Sequence, residues 1–186
     1  MRPSRRRWSA PESFGDTKLE VRVQPVDHAT FRTVLGHLPT GVVALSALPL
    51  ATRPPVGLVV GTFQSLSLDP PMVTFSVDRS STSWPKLRGA GRLCANILAT
   101  GQVAVCKELS TRQPDKFASI LWSPSEHGTP RIHGAHAWID CTIRHELDGG
   151  DHVIVLADVL HLEAGDGEPL VFHRGELGGY RASSAA

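Results

Sequence analysis

The chain has 186 residues, 41% of them hydrophobic and 20% charged, with a net charge of +1. Those values suit one globular domain and exclude a disordered polyelectrolyte. The near-even charge balance excludes the basic footprint of a nucleic-acid binder. No segment approaches the roughly 20 apolar residues of a membrane-spanning helix.

Residues 1–26 are rich in Pro, Ser and Arg and are expected to be a flexible lead-in, with Arg2, Arg5, Arg6 and Arg7 as a solvated basic cluster. Met1 to Ala10 lacks the apolar stretch of a secretory signal, so a cytoplasmic protein is expected. Asp27 is placed to cap a helix whose apolar face is Phe31, Val34, Leu35 and Leu38, and Pro39 ends it. Gly41 to Leu48 reads as a first strand, Pro49 to Pro55 as loop, Val56 to Phe63 as a second strand and Met72 to Val77 as a third. Asp69-Pro70-Pro71 supplies the turn before the third. Continuous apolar runs of this length predict strands buried on both faces.

Ser81 to Arg88 predicts a short helix with Pro85 in its first turn. Arg92 to Leu98 predicts a central strand, Gln102 to Leu109 a helix, Asp115 to Ile120 a helical turn, and 123–133 a loop. Ala135 to Leu147, Asp151 to Leu162 and Leu170 to Phe172 are the closing strands, the first two joined by Asp148-Gly149-Gly150. Six or seven strands with a few short helices predict a mostly β domain over 27–180, with 181–186 as a tail. No GxGxxG follows a strand, so a Rossmann unit is not indicated, and a closed or partly closed barrel is the natural burial for such strands.

Cys94, Cys106 and Cys141 are odd in number and widely spaced, which argues for free buried thiols over a disulfide framework or zinc site. The histidines have no carboxylate or thiol at convincing metal spacing, and no GxSxG elbow is present. Three segments carry chemistry. Gly57 to Pro71 places Thr62, Gln64, Ser65 and Ser67 beside an apolar strand, with Gly61 permitting close approach of a planar ligand; the same pattern serves an ordinary strand and turn. Asp78 to Thr82 sets a cation and three hydroxyls ahead of a helix, either a phosphate cradle or a cap. His152 lies at a hairpin corner as a proton donor, a hydrogen-bond donor to a nicotinamide amide, or a plain strand residue.

PTGV at Pro39–Val42, SLSLDPP at Ser65–Pro71, DRSS at Asp78–Ser81, LCANIL at Leu93–Leu98, DKF at Asp115–Phe117 and GDH at Gly150–His152 follow one another in fixed order. In that order the chain, from about Phe31 to Tyr180, resembles the flavin reductase-like family, the reductase components of two-component flavin monooxygenases. The resemblance implies an FMN-binding split β-barrel with Greek-key strands and a homodimer. It implies NAD(P)H-dependent flavin reductase activity, with NADH or NADPH as donor, FMN or FAD as acceptor, and a partner monooxygenase. It also implies that Thr40, Val60, Gly61, Thr62, Ser65, Leu66 and Ser67 line the flavin, that Ser80, Ser81 and Asn96 lie near it, and that His152 faces the nicotinamide. Hydride would pass directly between the two rings, with the protein aligning them and excluding water.

The chain departs from the family at Val59 and Gly61, where polar residues are usual, at Gln64, and at Glu108-Leu109, where Arg-Phe is usual. An inward carboxylate at Glu108 would repel a phosphate. These departures leave two other outcomes open: a flavin-binding barrel without turnover, or one that has moved to a ligand such as a deazaflavin or haem.

Overall fold

The computed structural model describes residues 25–49 and 54–183. Most of the expected lead-in, part of the loop after Pro49 and the last three residues lie outside them. Helix α1 spans His28–Leu35, and Asp27 caps it by accepting the Thr30 N–H at 2.9 Å. Its predicted apolar face is not buried: Phe31, Val34, Leu35 and Leu38 are each more than half exposed.

The run after Pro39 is divided into β1 (Thr40–Gly41) and β2 (Val43–Ala47). Strands β3 (Val56–Val60), β4 (Gln64–Leu68) and β5 (Pro71–Asp78) follow. Helix α2 (Trp84–Ala90), β6 (Arg92–Ile97) and α3 (Val103–Leu109) come next. Short strands β7 (Trp122–Pro124) and β8 (Pro130–Ile132) form a hairpin where loop was expected. Long strands β9 (Ala137–Gly149) and β10 (His152–Ala164) are followed by β11 (Leu170–His173) and β12 (Glu176–Gly179). Asp115 to Ile120 is a hydrogen-bonded turn closed by Ile120 N–H to Phe117 O at 3.1 Å, short of a helix.

Seven strands form one antiparallel sheet in the order β3-β2-β6-β9-β10-β5-β4, and β1-β11-β12 form a second. The large sheet curls until the end of β3 meets β5. There the Thr62 hydroxyl accepts the Ser76 N–H at 2.8 Å and donates to Ser76 O at 3.1 Å. That contact holds the seam of a split barrel.

Strand β2 is buried along its whole length because it has a core on each face. Val43 and Leu45 point inward with Phe75, Leu93 and Val155, while Val42 and Ala44 face an outer core of Leu98, Leu109, Phe117 and Ile132. Trp84 closes the inner core, meeting Phe75 edge-on at 5.8 Å while its indole N–H donates to Glu146. Gly57 lets β3 pass under the outer core, since a Cβ there would lie 2.9 Å from Phe117 and 3.0 Å from Leu45 O.

Candidate functional site

A groove of about 930 Å³ runs along the barrel seam. Thr40, Gly61, Thr62 and His152 line one side, and α1 with the β11–β12 turn lines the other. Its apolar wall is Phe31, Leu35, Leu38 and Phe172, the side chains that the barrel core does not take. None of the described residues lining it is acidic.

The hairpin register sets His152 at the groove mouth, opposite Asp78 on β5 and Gly149 on β9. Its Nδ1 lies 2.7 Å from Asp151 Oδ1. An ionised carboxylate only accepts, so Nδ1 donates and the ring is oriented with Nε2 free of protein partners among the described residues. Gly61 also matters here: its missing side chain leaves room for the Thr40 hydroxyl, which would sit 3.0 Å from a Cβ.

Strand β3 leads from this groove to a second cavity of about 280 Å³, lined by Leu58, Val59, Ser80, Ser81 and Lys116 among others. A further pocket of about 240 Å³ shares Thr82, Ser83, Arg112 and Lys116 with it and adds Lys86. Lys116 Nζ is held by Leu109 O at 2.9 Å and Ser83 Oγ at 3.1 Å, both neutral acceptors. Burial, with the neighbouring Lys86, lowers its pKa below the ordinary lysine value. Among the described residues Lys86, Arg112 and Lys116 enter no ion pair. Among the described residues Asp78 is the one carboxylate lining either of these cavities. Hydrogen bonds from Ser80 occupy it and hold its pKa below the usual range, and the Ser80 N–H reaches its Oδ1 at 2.7 Å. The cavity is thus built for an anion.

The fold sorts the residues expected from the sequence into three places. Thr40, Gly61, Thr62 and His152 share the groove, and Ser80 and Ser81 line the cationic cavity. Val60 joins the two from the inner core. Ser65, Leu66 and Ser67 lie on β4 at the outer edge of the sheet, Leu66 at a bulge between the other two, and line neither.

Asn96 is fully buried and away from both cavities. Its amide donates to Ala44 O at 2.9 Å and Ser46 Oγ at 2.8 Å, and its Oδ1 accepts the Ile132 N–H at 2.7 Å. It ties β2, β6 and β8 together and has no polar atom left for a ligand. Arg79 is not the cradle's cation either, because it clamps the β9–β10 turn through Gly150 O and Asp148. Ser83 takes the N-cap position of α2 without a side-chain bond, and Ser81 Oγ accepts the Trp84 N–H at 3.2 Å.

Sequence reasoning missed the cations that do line the cavity. Lys116 stood in the quoted DKF segment with no role, and Arg112 lies two residues before Pro114 in a loop with no periodicity. Glu108, the feared repulsive carboxylate, does not line the cavity; the neighbouring Ser110, Thr111 and Arg112 do.

The sequence matches the flavin reductase like domain over residues 35–181. It is 42% identical over 164 residues to a flavin reductase of Pseudomonas putida, covering 88% of this chain and 96% of that one. Nitrilotriacetate monooxygenase component B from Mycobacterium thermoresistibile superposes with a TM-score of 0.79 at 41% identity, over 85% of this chain and 90% of that one. The Streptomyces globisporus NADH:FAD oxidoreductase SgcE6, solved with NAD and FAD fragments, gives 0.78 at 29% identity, over 88% and 98%. The chain belongs to the flavin reductase family, and its fold is the split barrel of that family.

Proposed function

We propose that the protein is an NAD(P)H:flavin oxidoreductase that supplies reduced flavin to a partner monooxygenase. The observation that carries this reading is that the segment Leu58 to Thr62 lines a cation-rich cavity at one end and an apolar groove, without acidic residues among the described ones, at the other. Leu58 to Thr62 spans on the order of 10 Å of extended chain. A ligand with a planar ring system at one end and a phosphate at the other matches both. Flavin, when bound, supplies the ring that accepts hydride from a reduced nicotinamide.

The chain's own residues do the rest. Lys116 and Arg112, with the Ser81 hydroxyl, hold the phosphate, and Ser80 keeps Asp78 occupied beside it. Gly61 and Thr62 set the backbone against the ring edge, and Thr40 closes the side. His152, fixed by Asp151, presents Nε2 as a hydrogen-bonding group to the nicotinamide amide. Phe172 and the α1 side chains exclude water from the stacked rings. No proton transfer is needed on the protein, which matches a groove with no acid among the described residues that line it.

The departures at Val59, Gly61 and Glu108 do not favour an inactive barrel. Val59 lines the cavity as a neutral wall, Gly61 fits Thr40, and Glu108 lies outside. A homodimer accords with the apolar edge left open on β4 and β10, where Leu68 is 89% and Leu162 62% exposed. The free, buried Cys94, Cys106 and Cys141 suit a reducing cytoplasm, and no helix among the described residues is long and apolar enough to cross a membrane.

The test is a matrix of FMN, FAD and riboflavin against NADH and NADPH, followed as absorbance loss at the nicotinamide band. Oxidation with at least one pair is expected. Absence of turnover with every pair overturns the reading.

A further inference from the structure

The groove holds two arginines that the hydride-transfer reading does not use. Arg32 lies on α1 and Arg174 at the tip of the β11–β12 hairpin, and both line the groove wall facing His152. Gly36 joins them through its backbone. Its N–H donates to Arg32 O at 2.9 Å, and its carbonyl accepts the Arg174 N–H at 2.9 Å. The hairpin tip is therefore anchored to the C-terminal end of the helix, and both arginines line the same groove.

Arg174 also sits where the backbone does not favour it. Its φ is 51°, the one non-glycine residue with positive φ among the described residues, and Gly175 beside it has φ 88°. A two-residue hairpin turn with both central residues at positive φ takes Asn-Gly, Asp-Gly or Gly-Gly by preference. A β-turn alone gives no reason for Arg there. Strained residues of this kind are kept where the side chain has a task. Among the described residues neither arginine enters an ion pair and no acidic side chain lines the groove. The wall between them and His152 is apolar and partly aromatic, through Phe31 and Phe172.

We propose that Arg32 and Arg174 bind the diphosphate of the nicotinamide dinucleotide and so orient its nicotinamide toward His152. The proposal rests on the reading of this groove as the hydride donor's site. It assigns the donor's charge to a place separate from the Lys116 cavity, so donor and flavin phosphates are held at opposite ends. Both arginines are binding and positioning residues, and neither touches the reacting atoms.

The test compares two hydride donors at saturating FMN: NADH, and 1-benzyl-1,4-dihydronicotinamide, which has the same ring and no phosphate. The variants are Arg174→Gly, which suits the positive φ and preserves the turn, Arg174→Lys and Arg32→Gln. The expected result is that kcat/KM for NADH, relative to that for the uncharged donor, falls about tenfold in Arg174→Gly and Arg32→Gln. The loss should lie in KM, and Arg174→Lys should recover part of it. The KM for NADH should rise with salt in the wild type and lose that slope in Arg174→Gly. Equal losses with both donors would show a structural role and overturn the proposal, as would unchanged use of NADH. If the wild type turns over neither donor, the functional reading itself falls and this inference with it. Wild-type turnover with no discrimination in the variants removes the inference alone.

Discussion

The Thr62 hydroxyl bridges both main-chain groups of Ser76, accepting from its N–H at 2.8 Å and donating to its carbonyl at 3.1 Å. One side chain thus stitches the seam of the barrel at the floor of the groove. Thr62→Val keeps the shape and removes both bonds. It should cost about 1 kcal/mol of stability by urea unfolding, a modest loss because water reaches this site. Flavin affinity should fall more than stability suggests, since the seam sets the groove's width. An unchanged flavin Kd would show that the stitch has no bearing on the site.

Lys116 is held by three neutral oxygens and lines the cavity beside Arg112. Lys116→Gln should weaken FMN binding about tenfold while leaving riboflavin, which lacks the phosphate, within twofold. The pH dependence has a definite sign. Burial and Lys86 lower the lysine pKa from 10.5, so the ammonium is lost earlier than usual as pH rises. FMN affinity should therefore decline on the alkaline side before an ordinary lysine would titrate, and riboflavin affinity should not follow it. Fluorescence titration of both flavins across alkaline pH measures this.

His152 is oriented by Asp151, with Nδ1 and Oδ1 2.7 Å apart. His152→Ala should lower kcat about tenfold through loss of one hydrogen bond that aligns the nicotinamide. Asp151→Asn should act in the same direction and less strongly, because the ring stays while its orientation loosens. Flavin Kd should be unchanged in both. Stopped-flow reduction of bound flavin separates the two effects.

Asn96 belongs to stability. Its side chain satisfies Ala44 O, Ser46 Oγ and the Ile132 N–H inside a fully buried site. Asn96→Ala leaves the buried Ile132 N–H without its side-chain acceptor, while Ser46 Oγ keeps Pro130 O, and should cost about 3 kcal/mol. The folded fraction should keep the wild-type KM for flavin and nicotinamide. A selective rise in flavin KM would return Asn96 to the site.

The sequence by itself determined the strands built from continuous apolar runs. Val56 to Val60, Met72 to Val77 and Arg92 to Leu98 are apolar runs bounded by turn residues, and each forms a strand. Burial is a property of composition, so it is legible in one dimension. The Asp27 cap and the β9–β10 hairpin were legible for a similar reason, because their hydrogen bonds close over a few residues. Strand β4 was hidden because Gln64 to Leu68 gains its order from one neighbour, and its leucines stay exposed.

Only the tertiary structure decided which polar residues face a ligand. Asn96 and Ser81 are equally polar in sequence, yet long-range partners spend Asn96 inside the core and leave Ser81 on the cavity wall. Arg79 is consumed by a turn about 70 residues away in sequence, whereas Lys116 is left without a carboxylate. The apolar face of α1 read as a core face; it proved to be the wall of the groove, because the barrel had already filled its interior. Whether a side chain is spent or free depends on groups that arrive only when the sheet curls.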